Sequence, residues 1–159
     1  MRSMNSLICP RLSMSLNELK EQWKHDSTVL DGNDGYPDFL KACNETPYLH
    51  SKYLDLYCEW KSKLIDQEFA YKFKRKEKWL YYKKKAPASA YKDIPFDLKL
   101  TTKDEVEMFL DADEDLAKIS AKINYFQIVL YFLESVLKQI SARQYQIKNA
   151  IEWEKFRSG

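Results

Sequence analysis

From Leu116 to Ile151 the residues Leu116, Ile119, Ile123, Phe126, Leu130, Leu133, Leu137, Ile140, Ile147 and Ile151 recur at alternating steps of three and four, with Gln144 the one polar member of the row. A β-strand cannot use that period; a helix turns it into a coiled-coil-like seam. Around its middle, Tyr125, Ile128, Val129, Tyr131 and Phe132 add apolar groups off the row, so the helix needs partners on more than one side. A chain of 159 residues has few internal helices to supply them. The pattern therefore predicts a homo-oligomer, and two non-equivalent contact faces favour a ring.

The rest of the chain also reads as helix. Three glycines and five prolines are too few for a turn-rich β fold. Ser15 to Glu18 forms a capping-box pattern that opens a short helix over 15–25, and Thr102 to Glu105 forms a second one, with a helix through Leu110. Residues 26–47 read as loop with one helical turn near Phe39. From Pro47, a good first-turn residue, Leu49, Tyr53, Leu56, Trp60 and Leu64 repeat at helical spacing and open a long central helix that runs towards Pro87. The acidic run at 111–115 falls where the last helix begins, and carboxylates favour that end of the helix dipole. The expected organisation is a mainly α protein with a flexible N-terminal extension, 1–13, and one helical domain, 14–159. Within that domain, 101–159 holds the oligomerisation helices.

The central helix carries an unusual charge. Residues 71–85, YKFKRKEKWLYYKKK, hold eight of the 26 Lys and Arg but one of the 24 acids, which leaves the remainder of the chain five charges acidic. A cationic patch on an acidic background binds a polyanion without making the whole surface adhesive. Like charges at i,i+4 cost about 0.2–0.5 kcal/mol per pair unless an anion intervenes. With so few acids in the stretch, Lys72, Lys74, Arg75, Lys76, Lys78, Lys83, Lys84 and Lys85 are candidate phosphate contacts, and Trp79, Tyr81 and Tyr82 candidate stacking platforms. Lysine with interleaved aromatics suits single-stranded nucleic acid, because stacking is worth about 1–3 kcal/mol per base whatever the sequence. Duplex readout would want Asn, Gln or Arg presented to base edges. The 14–100 segment is accordingly the expected DNA-binding part. Lys72, Lys74, Lys76 and Lys78 also alternate at period two with Tyr71, Phe73, Arg75 and Glu77, which is the pattern of a strand; the helix is the favoured reading.

Catalytic and cofactor chemistry find little here. His25 and His50 have no nucleophile or carboxylate at a recognisable spacing, three glycines cannot build a phosphate loop, and Cys43, His50 and Cys58 match no familiar zinc pattern. Cys9, Cys43 and Cys58 read as reduced thiols of a cytosolic protein. The apolar run at 125–133 is far shorter than the roughly 20 residues of a membrane-spanning helix. These readings point to a non-enzyme with no cofactor, no metal and no membrane. The competing function is an oligomeric adaptor whose basic helix meets acidic protein or a membrane surface.

Leu110 to Lys118 fits L-x-A-D-x-D-x-x-K, an apolar helix follows, SARQYQIK (141–148) approximates SR-x-x-x-IK, and Lys76, Lys78, Tyr81 and Tyr82 fit K-x-[KR]-x-x-Y-Y. In these features the chain resembles the UvsY recombination-mediator family of tailed bacteriophages, from about Met14 to Gly159. The patch here is richer in lysine than that pattern, and the middle of the chain diverges. The resemblance implies a ring-forming, non-enzymatic protein of the infected host's cytoplasm. It would bind single-stranded DNA and help load a RecA-like recombinase onto strands coated with single-stranded-DNA-binding protein, in recombination, repair and replication.

Overall fold

The computed structural model describes residues 14–29 and 38–159. Every regular element among them is helical: α1 (Leu16–Ser27), α2 (Phe39–Tyr82), α3 (Ala90–Asp93), α4 (Lys103–Asp111) and α5 (Glu114–Ser158). The expected 1–13 extension lies outside the described residues, as does 30–37 of the expected loop. None of the described helices is long and apolar enough to cross a membrane.

Local chemistry sets most boundaries. Ser15 and Thr102 close the two expected capping boxes: each hydroxyl accepts from the backbone N–H three residues on, and Glu18 and Glu105 accept the N–H groups of the caps. The central helix, by contrast, begins eight residues before Pro47. The Asp38 carboxylate accepts the Lys41 N–H at 2.9 Å, and its carbonyl accepts the Ala42 N–H at 3.0 Å, which is how an N-cap starts a helix. Pro47 thus lies inside α2. It has no N–H to offer the preceding turn, an interior defect that costs about 3 kcal/mol. Burial of Ala42, Thr46, Leu49 and Tyr53 on the same helix offsets it, and the Thr46 hydroxyl donates to the Ala42 carbonyl at 2.9 Å.

The described residues form two compact units, each drawing on both sides of residue 100. One comprises the described part of 1–53 together with 135–159. There Leu19, Leu49, Tyr53, Val136, Ile140 and Ile147 are buried, and Trp23 meets Tyr53 edge-on at 5.3 Å. The other comprises 54–134. Within it α2 and α5 run antiparallel: Tyr57 donates to Glu134 at 3.1 Å, Trp60 packs edge-on against Phe126 at 5.3 Å, and Val106 and Leu110 of α4 join Leu116, flanked by Tyr71 and Tyr82. Tyr71 and Tyr82 reach one cluster only because 71–82 is helical, three turns apart; the period-two alternative is not what the chain adopts.

On α5 the row that the sequence assigns to oligomerisation is divided, half of it serving the chain's own core. Leu116, Leu130, Leu133, Ile140 and Ile147 are buried within their own units, and Ile119, Ile123, Phe126, Leu137 and Ile151 are half-buried. The core row of 129–147, however, is Val129, Leu133, Val136, Ile140, Arg143 and Ile147, while Gln144 is exposed. In the first unit α5 packs with both α1 and α2, and two partners widen the buried stripe towards the off-row positions. Ile128 and Tyr131 in one unit, and Tyr145, Trp153 and Phe156 in the other, remain exposed.

Candidate nucleic-acid interface

The helical pitch divides the basic stretch into two faces. Tyr71, Lys74, Arg75, Lys78 and Tyr82 fall at i, i+3, i+4, i+7 and i+11 and turn towards α4 and the start of α5. Phe69, Lys72, Phe73, Lys76, Trp79 and Lys83 fall on the other side.

The inward face is neutralised by acids of the same unit. Lys78 Nζ lies 3.0 Å from Asp113 and 2.8 Å from Asp115; Lys74 Nζ lies 3.0 Å from Glu77 and 3.7 Å from Asp115. Arg75 pairs with Glu107 and reaches Asp111 at 3.8 Å. The acidic run thus does more than favour a helix start. Asp113, with a side chain 4% exposed, accepts the backbone N–H groups of Asp115 and Leu116 at 3.0 and 3.2 Å, caps α5, and takes the Tyr82 hydroxyl at 2.8 Å. Burial alone would raise the Asp113 carboxyl; the Tyr82 and Lys78 hydrogen bonds outweigh it and hold the group below the usual aspartate range. Burial likewise works against the Lys78 ammonium, but its bonds to Asp115 and Asp113 win and push its pKa up. Burial and the bond to Asp113 push Tyr82 up to about 12.

Tyr81 and Tyr82, expected to offer their rings to bases, are half-buried in an aromatic cluster with Tyr91, Phe96 and Phe109. Tyr81 stacks on Tyr91 at 5.2 Å with planes 15° apart. Their hydroxyls are engaged too, Tyr81 donating to the Ile94 carbonyl at 2.8 Å. They hold the 83–100 connection against α2. The helix itself ends on Lys84 at φ 56°, with Lys85 N–H bonded to the Leu80 carbonyl and Lys84 N–H to the Tyr81 carbonyl, the pairing of a Schellman motif. Lys84 Nζ donates to the Asp97 carbonyl at 3.3 Å, which leaves its charge uncompensated.

The outward face is open. Lys72 and Lys76 are exposed, and neither has an acid partner among the described residues. Lys72 Nζ lies 5.5 Å from the Phe69 ring, and Lys85 Nζ 5.5 Å from the Trp79 ring. Trp79 is 37% exposed and Phe73 is 73% exposed. Phe69 and Phe73 are not among the candidates drawn from the sequence. The signal that would have found them is the burial row Tyr71–Lys74–Lys78–Tyr82, which is offset from theirs by about half a turn. Cations and aromatic faces therefore alternate along one side of α2, with Lys83 half-buried at its end.

A family model described as the recombination, repair and ssDNA binding protein UvsY matches residues 22–159. The recombination protein uvsY of Enterobacteria phage T4 is 26% identical over 146 residues, covering 92% of this chain and 99% of that protein. Crystal structures of the bacteriophage T4 recombination mediator protein UvsY superpose with a TM-score of 0.74 at 26% identity, over 92% of this chain and all of that one, and with 0.75 at 24% identity in another lattice.

Proposed function

The chain belongs to the UvsY family of recombination, repair and single-stranded-DNA-binding proteins, and on that premise we propose that the outward face of α2 is its DNA-binding surface. Lys72, Lys76, Lys83, Lys84 and Lys85 contact successive phosphates, and Trp79, Phe69 and Phe73 receive bases. The observation that carries this reading is the alternation of unpaired lysines with exposed aromatic rings on one helix face, which matches a backbone-tracking surface with stacking platforms. Lys74, Arg75 and Lys78 belong to the same stretch but are held by acids, and Tyr81 and Tyr82 support the connection behind it.

Several copies act together. The exposed Ile128, Tyr131, Tyr145, Trp153 and Phe156 and the half-buried Leu137 and Ile151 supply apolar contacts for a homo-oligomer built on α5, in the form of a ring. Linked weak sites raise avidity about 10²–10⁴-fold without new contacts. In this role the protein is a non-enzymatic mediator in the cytoplasm of an infected bacterium, and it helps a RecA-like recombinase replace single-stranded-DNA-binding protein on a strand.

The test is a titration with oligo(dT) and with duplex at several salt concentrations, with solution mass measured alongside. Single strands are expected to bind more tightly than duplex. Lys72→Ala with Lys76→Ala should lower affinity and flatten the dependence of log K on log salt by about 1.4, two contacts at roughly 0.7 each. Unchanged slope and affinity would refute the surface and favour the adaptor reading.

A further inference from the structure

Between Ile94 and Thr102, both with extended backbone, residues 95–101 run without turn or bend. In an extended chain successive side chains alternate between two faces. Phe96 lies in the aromatic cluster and Leu100 against Val106, Leu110 and Leu116, so Leu98 shares the face that meets the core. Leu98 is nevertheless 56% exposed, and Asp97 and Lys99 on the other face are exposed as well.

Backbone groups alternate too, each residue turning its N–H and C=O to one edge. The Asp97 carbonyl accepts from Lys84 Nζ, so the groups of Phe96, Leu98 and Leu100 line the opposite edge. Among the described residues none of those groups has a hydrogen bond. An unpaired edge of this kind takes up another strand, and the charges on it select which. Laid antiparallel on a second copy about Leu98, the segment sets Phe96 opposite Leu100, Leu98 opposite Leu98, and each Asp97 opposite a Lys99. The backbone bonds are then exchanged at 96, 98 and 100. Asp97 and Lys99 meet at the non-hydrogen-bonded positions, where the Cα atoms are closest, about 4.5 Å apart. A parallel pairing in register, or an antiparallel one slipped by two residues, sets like charges opposite.

We propose that residues 96–100 are a docking edge for a second copy of this chain. Two segments pair antiparallel across a two-fold axis at Leu98, which covers each Leu98 with its counterpart and closes two Asp97–Lys99 pairs. The contact uses neither the apolar faces of α5 nor the outward face of α2, so it stands or falls apart from both.

Asp97→Lys and Lys99→Asp each set like charges opposite. Mixing the two variant chains, or placing both substitutions in one chain, restores opposite charges at both pairs. Sedimentation of the full chain over a range of concentrations reads the doubling of its smallest species. Each single variant should double at least about tenfold more weakly than wild type, and the mixture and the double variant should return to within about threefold of it. Single variants that associate like wild type, or a mixture as weak as its components, overturn the proposal. A second measurement needs no charge change. In a chain with Cys9, Cys43 and Cys58 replaced by Ser, Leu98→Cys treated with oxidised glutathione should form disulfide-linked dimers at least about tenfold faster than Lys92→Cys, which is also at an exposed position. Paired Cα atoms about 5.5 Å apart lie within the range a disulfide spans. Equal rates overturn the axis at Leu98, whatever the state of the α5 assembly.

Discussion

Asp115→Asn keeps the size of the side chain and removes one negative charge that lies 2.8 Å from Lys78 Nζ and 3.7 Å from Lys74 Nζ. If α2 binds DNA, that carboxylate competes with phosphate for both lysines. Its side chain is 46% exposed, so each pair is worth at most about 1 kcal/mol and is within reach of an incoming phosphate. Asp113 still holds Lys78 and Glu77 still holds Lys74 after the change, so the lysines are loosened rather than freed. One further phosphate contact adds about 0.7 to the salt slope on single strands, which corresponds to roughly fourfold in affinity at about 0.15 M salt relative to about 1 M. The variant should therefore bind oligo(dT) more tightly by up to about fourfold, with a slope steeper by up to about 0.7, the figures for one loosened lysine gaining a full phosphate contact. Loss of an acid from the first turn of α5 costs about 0.3–1 kcal/mol of stability, visible as a small drop in melting temperature. The assay is fluorescence anisotropy at four or more salt concentrations. An affinity and slope equal to wild type would mean that the inward lysines never reach phosphate, and the neutralised face would be purely structural.

Trp79→Ala should weaken oligo(dT) binding by about 1–3 kcal/mol per engaged base with the salt slope nearly unchanged, since stacking releases no counterions; a flattened slope would contradict the assigned role. Tyr131→Glu with Leu137→Glu should lower the solution mass measured by sedimentation while circular dichroism still reports helix, and a fully assembled variant would remove α5 as the assembly surface. Asp113 has a depressed pKa, so its contribution is complete above the ordinary aspartate value near ~4 and is lost as pH falls through its lower folded value. Melting temperature should thus fall steeply on acidification below about pH 4, and Asp113→Asn should be less stable at pH 7 by roughly 1–3 kcal/mol with a flatter acid limb; an unchanged acid limb would show that other carboxylates dominate.

Helix type was legible wherever periodicity and caps agreed. Ser15, Glu18, Thr102 and Glu105 announce two helix starts within a residue, because a capping box is a local interaction that needs nothing from the rest of the chain. The start of α2 was not, since Pro47 is equally compatible with a first turn and with a tolerated interior defect, and only the burial of Ala42, Leu49 and Tyr53 decides between them. The charge of 71–85 could be counted, but its division could not: which lysines meet Asp113 and Asp115 depends on how α5 returns past α2. For the same reason the sequence marks Tyr81 as a stacking platform and passes over Phe73. Both are aromatic and both neighbour lysine, and one is stacked on Tyr91 while the other faces outward.

The chain topology also orders the folding reaction. Within the 54–134 unit Tyr82 and Asp113 are 31 residues apart and Tyr57 and Glu134 are 77 apart, whereas the other unit joins Asp26 both to Lys52, 26 residues away, and to Arg143, 117 away, so the longest closure belongs to the unit that combines early and late parts of the chain. Loop closure costs grow with separation, and distant pairs close cheaply only once the intervening stretch has folded. The middle of the chain is therefore the nucleus and the ends are the last to join. Substitutions at Trp60 or Leu110 should slow folding, whereas those at Leu19 or Ile147 should mainly accelerate unfolding, a division that φ-values at these four buried positions would reveal.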